Sequence, residues 1–332
     1  MSLTRRRFIT ISAAACGLPL LAPVASGAGP AADPTLRIWS GAALGADATL
    51  QINHPDPAAA DRLIAAALTE VERLEGILSL YRPDSALSRL NRDGLLDEPP
   101  FDLVRLLSES RRFGELTGGA FDITVQPLWD LYARHFAVAG ASPDGPAPQA
   151  IAAATARVGQ SALTVGAERI QFDRPGMGLT LNGIGQGYVT DRIVEVLKRG
   201  GVDHALVDMG ETRAIGSRPD GRSWTVGLED PRSPGAIAER LAVVDRAVAT
   251  SGGYGTVFDP SGRFNHIFEP GSGRTSWRWL SVSVEAATAT EADALSTAFT
   301  LMPEAATAPI VHERGLTAHF VRPDGSRLVQ RS

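Results

Sequence analysis

Residues 179–192 read LTLNGIGQGYVTDR: an apolar stretch, three glycines at alternate positions (Gly183, Gly185, Gly187), then the start of an amphipathic helix. Glycines at a strand-to-helix turn let the main chain approach a ligand closely and aim free N–H groups at it, an arrangement that suits phosphates. Val189, Ile193, Val194 and Val196 carry the helix to Lys198, Gly200 and Gly201 stop it, and a second apolar strand, HALVDMG, runs to Asp208. The expectation is strand, glycine turn, helix, strand. Two ligand chemistries are open to that unit, beside the reading in which the loop binds nothing. A dinucleotide fold would place Asp208 on a ribose, but G-I-G-Q-G has Tyr188 where the third glycine of G-x-G-x-x-G belongs. The other is a phosphate and metal site shared with a later part of the chain.

Around this unit the pattern alternates between helix and hairpin signals. A strand pair is expected over 36–52, broken at Gly41 and Gly45, and Asp56 caps a helix whose first residue is Pro57, with Leu63, Ile64, Leu68, Val71, Leu74 and Leu78 on one face. A second helix spans 101–117, stopped by Gly118 and Gly119. The run GGAFDITVQPLWDLY brings Phe121, Trp129 and Tyr132 together, either as core or as the wall of a flavin-sized pocket; Tyr81, beside Pro83, is open to the same two readings. Residues 138–149 are a Pro/Gly/Ala surface loop and the place for any subdomain boundary. Then come a short helix over 149–158, a hairpin from ALTVG and RIQFD, strands around the 218–221 turn, one strand through LAVVDRAVATS, His266 on a strand before the Glu269-Pro270 turn, a strand in WLSVSVEAAT, a helix over 290–302, and a hairpin closed at 323–325. The fold class is α+β, with mixed, largely antiparallel sheets and packed helices.

With 44% hydrophobic residues in 332, the chain can bury a large core. Its one cysteine, Cys16, excludes an internal disulfide, and the net charge of −5 becomes −8 once Arg5, Arg6 and Arg7 are set aside, which argues against a nucleic-acid partner. Those arginines precede an apolar run over 8–24 and small residues over 25–28, so residues 1–28 read as a twin-arginine signal peptide, residues 29–35 as a loose leader and residues 36–332 as the functional domain. The expected location is periplasmic, with membrane contact only through the signal or an anchor; lipid attachment at Cys16 is the lesser reading.

The later helix supplies the other half of a site. Asp293 and Thr297 are four residues apart and share a face near its start, a carboxylate and a hydroxyl of the hard-oxygen kind that magnesium takes. The competing reading is a capping box made by Thr290 and Asp293.

In order along the chain, L-Y-R-P-D-S, G-A-F-D-I-T-V, L-N-G-I-G-Q-G-Y-V-T-D, V-D-M-G-E-T-R-A-I-G, A-T-S-G-G-Y, N-H-I-F-E-P and A-D-A-L-S-T-A resemble the ApbE family of FAD:protein FMN transferases. The signal and the L-N-G-I-G-Q-G-Y form also resemble its NosX branch, associated with nitrous oxide reduction. The resemblance implies an ApbE-like domain over 36–332. Such an enzyme takes FAD as substrate and Mg²⁺ as cofactor, moves FMN onto a Thr or Ser hydroxyl of an exported protein, here a membrane-bound electron-transfer subunit, and releases AMP. It implies Gly183 (through its carbonyl), Asp293 and Thr297 as metal ligands, and Leu44, Tyr81, Ala120, Phe121, Asp122, Thr180, Gln186 and Ile267 around FAD. His266 and Asp293 would be the catalytic residues, His266 positioning or deprotonating the acceptor hydroxyl. The sequence departs from the family pattern at Leu44 (often Met), Thr180 (often Asp), Gln186 (often Lys or Glu), Glu211 (often Gly) and Glu269 (often Asp). An accessory protein that binds FAD without turnover and a pyrophosphatase splitting FAD to FMN and AMP are the alternative functions, with a dinucleotide oxidoreductase behind them.

Overall fold

The computed structural model describes residues 35–332 and, before them, only the short strand Ala14–Ala15. Apart from Ala14 and Ala15, the signal peptide lies outside the described residues, as do the lipid question at Cys16 and all but the last residue of the leader. The elements are β1 (Ala14–Ala15), β2 (Leu36–Ala43), β3 (Ala46–Asn53), α1 (Pro57–Leu78), α2 (Ala86–Asp93), β4 (Leu95–Asp97), α3 (Phe101–Leu116), α4 (Gln126–Ala137), α5 (Pro148–Thr155), β5 (Leu163–Val165), β6 (Arg169–Phe172) and α6 (Gly185–Arg199). There follow β7 (His204–Asp208), β8 (Thr212–Ile215), β9 (Trp224–Glu229), β10 (Ile237–Val243), β11 (Ala247–Ser251), β12 (Ser281–Ala286), α7 (Ala289–Phe299), α8 (Glu304–Arg314), β13 (Thr317–Val321) and β14 (Arg327–Arg331).

Eight strands form one sheet in the order β14-β13-β12-β11-β8-β7-β3-β2, and every ladder described within it is antiparallel. The period of two along a strand explains the layering. Ala205 and Val207 of β7, and Ala247 and Ala249 of β11, point into the main core with α1, α6 and α7, whereas Leu206 and Val248 between them point the other way, onto Trp224, Val226, Leu241 and Val243 of the β9–β10 hairpin. These central strands are apolar on both faces because both faces are covered. A third cluster, Leu128, Tyr132, Ala154, Val158 and Phe268, ties α4 and α5 to residues 258–268.

Several expectations change. No strand precedes the glycine turn: residues 177–181 run as irregular chain, pinned by side chains instead of a ladder. Gly41 does not break β2. Trp39 lies over it, with a ring carbon 2.3 Å from where a Cβ would stand, so the glycine makes room for an indole; the turn falls at Leu44 and Gly45. LAVVDRAVATS is two strands, β10 and β11, in different sheets, joined through a turn at Asp245 with φ +49°. His266 is not on a strand but between two isolated bridges, Val257 with Asn265 and Phe268 with Thr275. Thr290 is not the cap of α7; Thr288 is, accepting from the Glu291 N–H at 3.3 Å. Helices α2, α4 and α8 have no counterpart among the elements expected from the sequence. No described helix is long and apolar enough to cross a membrane.

Candidate functional site

Two helices cross at the glycine turn, and side chains of the sheet and of α6 fix how they cross. Asp191 on α6 accepts from the Ala289 N–H (2.8 Å), the Thr290 N–H (2.9 Å) and the Thr290 hydroxyl (2.6 Å), and Arg213 of β8 pairs with the same carboxylate. The orphan donors at the start of α7 are thus satisfied by its neighbour helix. Gly187 sits at the contact: a Cβ there would stand 2.3 Å from the Ala289 carbonyl oxygen. That close approach lets the Gly187 N–H donate to Asp293 Oδ2 at 3.0 Å. One turn further along α7, the Thr297 hydroxyl lies against Gly183, 2.9 Å from an imagined Cβ, and hydrogen-bonds Ser251 at the end of β11 at 3.0 Å. Gly183, Asp293 and Thr297 are therefore brought together as the sequence implied.

The electrostatics of this corner call for a cation. Asp293 is 2% exposed, and burial, with the Asp191 charge adding, pushes its carboxyl up to about 7 against the opposing pull of the Gly187 N–H. Glu211 is 5% exposed and is raised well above the usual range, by burial first and then by Asp293 and Asp208. Neither has a salt-bridge partner among the described residues, and Glu211 Oε2 has no hydrogen bond. A buried, uncompensated carboxylate is costly, and a divalent cation would answer it. Among the described residues no group of three or more His, Cys, Asp or Glu side chains gathers around a metal position, so the donors on offer are mixed oxygens: carboxylate, hydroxyl and carbonyl, a set that fits magnesium.

From this polar corner a cleft of about 1430 Å³, open mouth included, runs past α6 to an apolar wall. Leu44, Tyr81, Ala120, Phe121, Asp122, Thr180, Gln186, His266 and Ile267 all line it together with the three residues above, and Trp129 joins them. Several are held from behind. Leu44 carries the φ of +48° that a side chain rarely adopts, and its N–H donates to Glu75 Oε1 at 2.7 Å. Phe121 packs edge-on to Phe113, and its N–H donates to the Thr117 hydroxyl at 3.0 Å. Asp122 spends its carboxylate on its own loop, accepting from the Thr124 N–H (2.7 Å) and the Thr124 hydroxyl, and on the distant Gln160 N–H (3.2 Å), so it shapes the wall. The Gln186 side chain lies over Gly210. Tyr81 stands half exposed at the rim.

Tyr132 is a correction to the pocket reading. It is buried among Phe258, Phe264 and Phe268, donates to the Gly273 carbonyl and does not line the cleft; it supports the segment that carries His266. His266 lies near that scaffold with Nδ1 3.1 Å from the Thr256 carbonyl oxygen. Since a carbonyl only accepts, Nδ1 carries the proton and Nε2 is left as the basic nitrogen. Burial holds the imidazole below its usual range. Fully buried Asn265 sets the local bend, its Oδ1 accepting from the Ile267 N–H (2.8 Å) and its Nδ2 donating to the Ser276 carbonyl (2.8 Å).

Asp191, Asn265, Ser251 and Asn91 were not found by sequence reasoning. Asn91 on α2 makes the clamp that replaces a strand before the glycine turn, accepting from the Leu179 N–H (2.7 Å) and donating to its carbonyl (2.8 Å), while the Thr180 N–H donates to the Ile123 carbonyl. Asn91→Leu leaves both Leu179 groups without partners and is expected to cost about 2 kcal/mol in urea unfolding.

The dinucleotide reading fails on geometry. Asp208 turns its carboxylate onto the Gly210 N–H and Thr212 hydroxyl and does not line the cleft. Tyr188, which interrupted the glycine motif, is buried and donates to Asp102 at 2.6 Å, inside the α3–α6 contact. No parallel strand pair is present among the described residues to form the required unit.

A family model described as the ApbE family matches residues 44–320. The chain is 30% identical over 309 residues to an FAD:protein FMN transferase of Klebsiella pneumoniae, covering 88% of this chain and 85% of that one, and 34% identical over 290 residues to one of Treponema pallidum, covering 79% and 78%. Its structure is similar to the flavin transferase ApbE of Vibrio cholerae (TM-score 0.76, 26% identity, 90% and 97% covered) and to the apo form of the Pseudomonas stutzeri flavinyl transferase ApbE (TM-score 0.74, 27% identity, 89% and 94% covered).

Proposed function

The chain belongs to the ApbE family, and on that premise we propose that it is an FAD:protein FMN transferase that uses Mg²⁺ and works in the periplasm. The observation that carries the chemistry is the contact of Gly187 with Asp293, which sets a buried carboxylate at the N-terminal end of α6 while Thr297 lies against Gly183. The pyrophosphate of FAD belongs at that end, where backbone N–H groups and the helix dipole favour anions. Asp293, Thr297 and the Gly183 carbonyl would hold Mg²⁺, which when bound neutralises phosphate charge. The isoalloxazine belongs along the apolar wall of Leu44, Ala120, Phe121 and Ile267, with Tyr81 at the mouth.

His266 is the group suited to receive the proton of the acceptor Thr or Ser hydroxyl, because its Nδ1–H is committed to Thr256 and its Nε2 is free to accept. The hydroxyl oxygen forms a bond to the phosphorus of the FMN half, the anhydride P–O bond breaks, and AMP leaves with the electron pair. The acceptor is a membrane-bound electron-transfer subunit, reached after export of this chain by the twin-arginine route; the arginine cluster at 5–7 supports that reading.

The test combines the protein, FAD, Mg²⁺ and a candidate acceptor domain. The expected result is flavin fluorescence on the acceptor in a denaturing gel, with AMP released in equal amount. AMP without labelled acceptor identifies a pyrophosphatase instead, and neither product identifies a binding protein.

A further inference from the structure

Glu211 lines the same cleft as Asp293, is 5% exposed, and has one carboxylate oxygen, Oε2, with no hydrogen-bond partner. The backbone leaves it no way out. Glu211 lies in the tight connection between β7 and β8, where its carbonyl accepts from the Thr190 hydroxyl at 2.9 Å and pins it to α6. The Thr250 N–H at the end of β11 donates to the carboxylate, which turns the side chain toward the cleft. No basic side chain answers it: Arg213, two residues on, is paired with Asp191, and the nearby charges are the carboxylates of Asp293 and Asp208. Asp208 is served by its own turn, through Gly210 and Thr212. Asp293 and Glu211 are left facing one cleft with two carboxylates and no cationic side chain.

We propose that the cation site of this chain carries two carboxylates, Glu211 acting beside Asp293 to hold the divalent cation. The inference rests on the magnesium reading of the site given above and deepens it. The number of carboxylates in an oxygen-donor site sets how tightly a divalent cation is held and how far it depends on other anions for charge balance. With one carboxylate, much of the neutralisation waits for the substrate phosphates; with two, the site binds the cation before FAD arrives. Loading of Mg²⁺ or Mn²⁺ by the FAD-free protein is therefore a property of Glu211, separate from transfer.

The experiment titrates EDTA-stripped, FAD-free protein with MgCl₂ and with MnCl₂ by calorimetry, and follows thermal unfolding with and without Mg²⁺, for wild type, Glu211→Gln, Glu211→Gly and Asp293→Asn. The expected result for both Glu211 variants is an affinity at least about tenfold weaker for each cation. The metal-free Glu211→Gln protein is expected to melt no lower than wild type while its Mg²⁺-induced rise shrinks; a merely structural glutamate would give a lower metal-free melting temperature with the rise intact. Wild-type affinity in both Glu211 variants, with binding lost in Asp293→Asn, overturns the proposal and leaves the cation site standing. Wild-type affinity in Asp293→Asn as well overturns the cation site itself.

Discussion

Asp293→Asn is expected to lower FMN transfer by about a thousandfold, since in the proposed site the carboxylate would hold the cation, whose charge stabilisation at the phosphoryl group is worth several kcal/mol. The substitution isolates charge from shape. Asparagine keeps an oxygen to accept from the Gly187 N–H, so the α6–α7 crossing stays closed, and the loss is read by single-turnover labelling of the acceptor at saturating FAD. Transfer at the wild-type rate would remove the metal site from the mechanism. A second readout follows from linkage. The Asp293 carboxyl is pushed up to about 7 when folded, against about 4 in an unfolded chain, so between those values the folded protein holds a proton that the unfolded chain has released. Its contribution to metal-free stability therefore falls as pH rises through that window and is fully lost above it. Asparagine has no proton to release. The variant is expected to gain on wild type in urea midpoint as pH rises from about 4 to about 7, then level off. Saturating Mg²⁺, bound to the folded wild type at the carboxylate as proposed, is expected to reverse the order at pH 8.

What the sequence made legible was local chemistry. The helix after the glycines, its stop at Gly200 and Gly201, the β5–β6 and β13–β14 hairpins and the Asp56 cap all follow from periods and caps that a short window contains. The site residues named from the ordered motifs also meet in one cleft, carried there by turns and loops between the elements, such as the Leu44 turn, the glycine turn and the segment of His266. The misreadings have a common origin in partners far along the chain. Residues 179–181 look like a strand because leucines flank Thr180, but the hydrogen bonds of Leu179 and Thr180 go to Asn91 and Ile123, which no local pattern announces. Thr290 and Asp293 have the spacing of a cap, but Asp191 of another helix takes the N-terminus of α7 and frees Asp293 for the site. Glu211 stands out in the sequence only as a departure from the family pattern until burial and the missing partner of Oε2 are seen. Helix α8 was hidden by Pro309, a residue that argues against a helix interior in any window.

Gly187→Ala is expected to damage the fold and the site together, and to do so far more than the same change at Gly185. A Cβ on Gly187 would lie 2.3 Å from the Ala289 carbonyl oxygen, 2.6 Å from its carbon and 2.8 Å from Asp293 Cβ. Two of those atoms are backbone and the third is fixed to it, so no rotamer change relieves the clash; α7 itself must move away from α6. That movement strains the three bonds from the start of α7 to Asp191 and pulls Asp293 off the Gly187 N–H. Overpacking of this kind, with buried hydrogen bonds lost beside it, is expected to cost about 3 kcal/mol in urea unfolding. At Gly185 the nearest atom to an added Cβ is Leu181 Cβ at 3.5 Å, an ordinary contact, and alanine gains helix propensity there, so the stability of Gly185→Ala should match or exceed wild type. Equal stabilities for the two variants would mean that the α6–α7 crossing is not set by this glycine. The predicted ordering ties the geometry back to composition: the middle glycine of G-I-G-Q-G can be replaced without loss of stability, while the last one cannot, because at Gly187, and not at Gly185, the backbone of another helix occupies the space of a side chain.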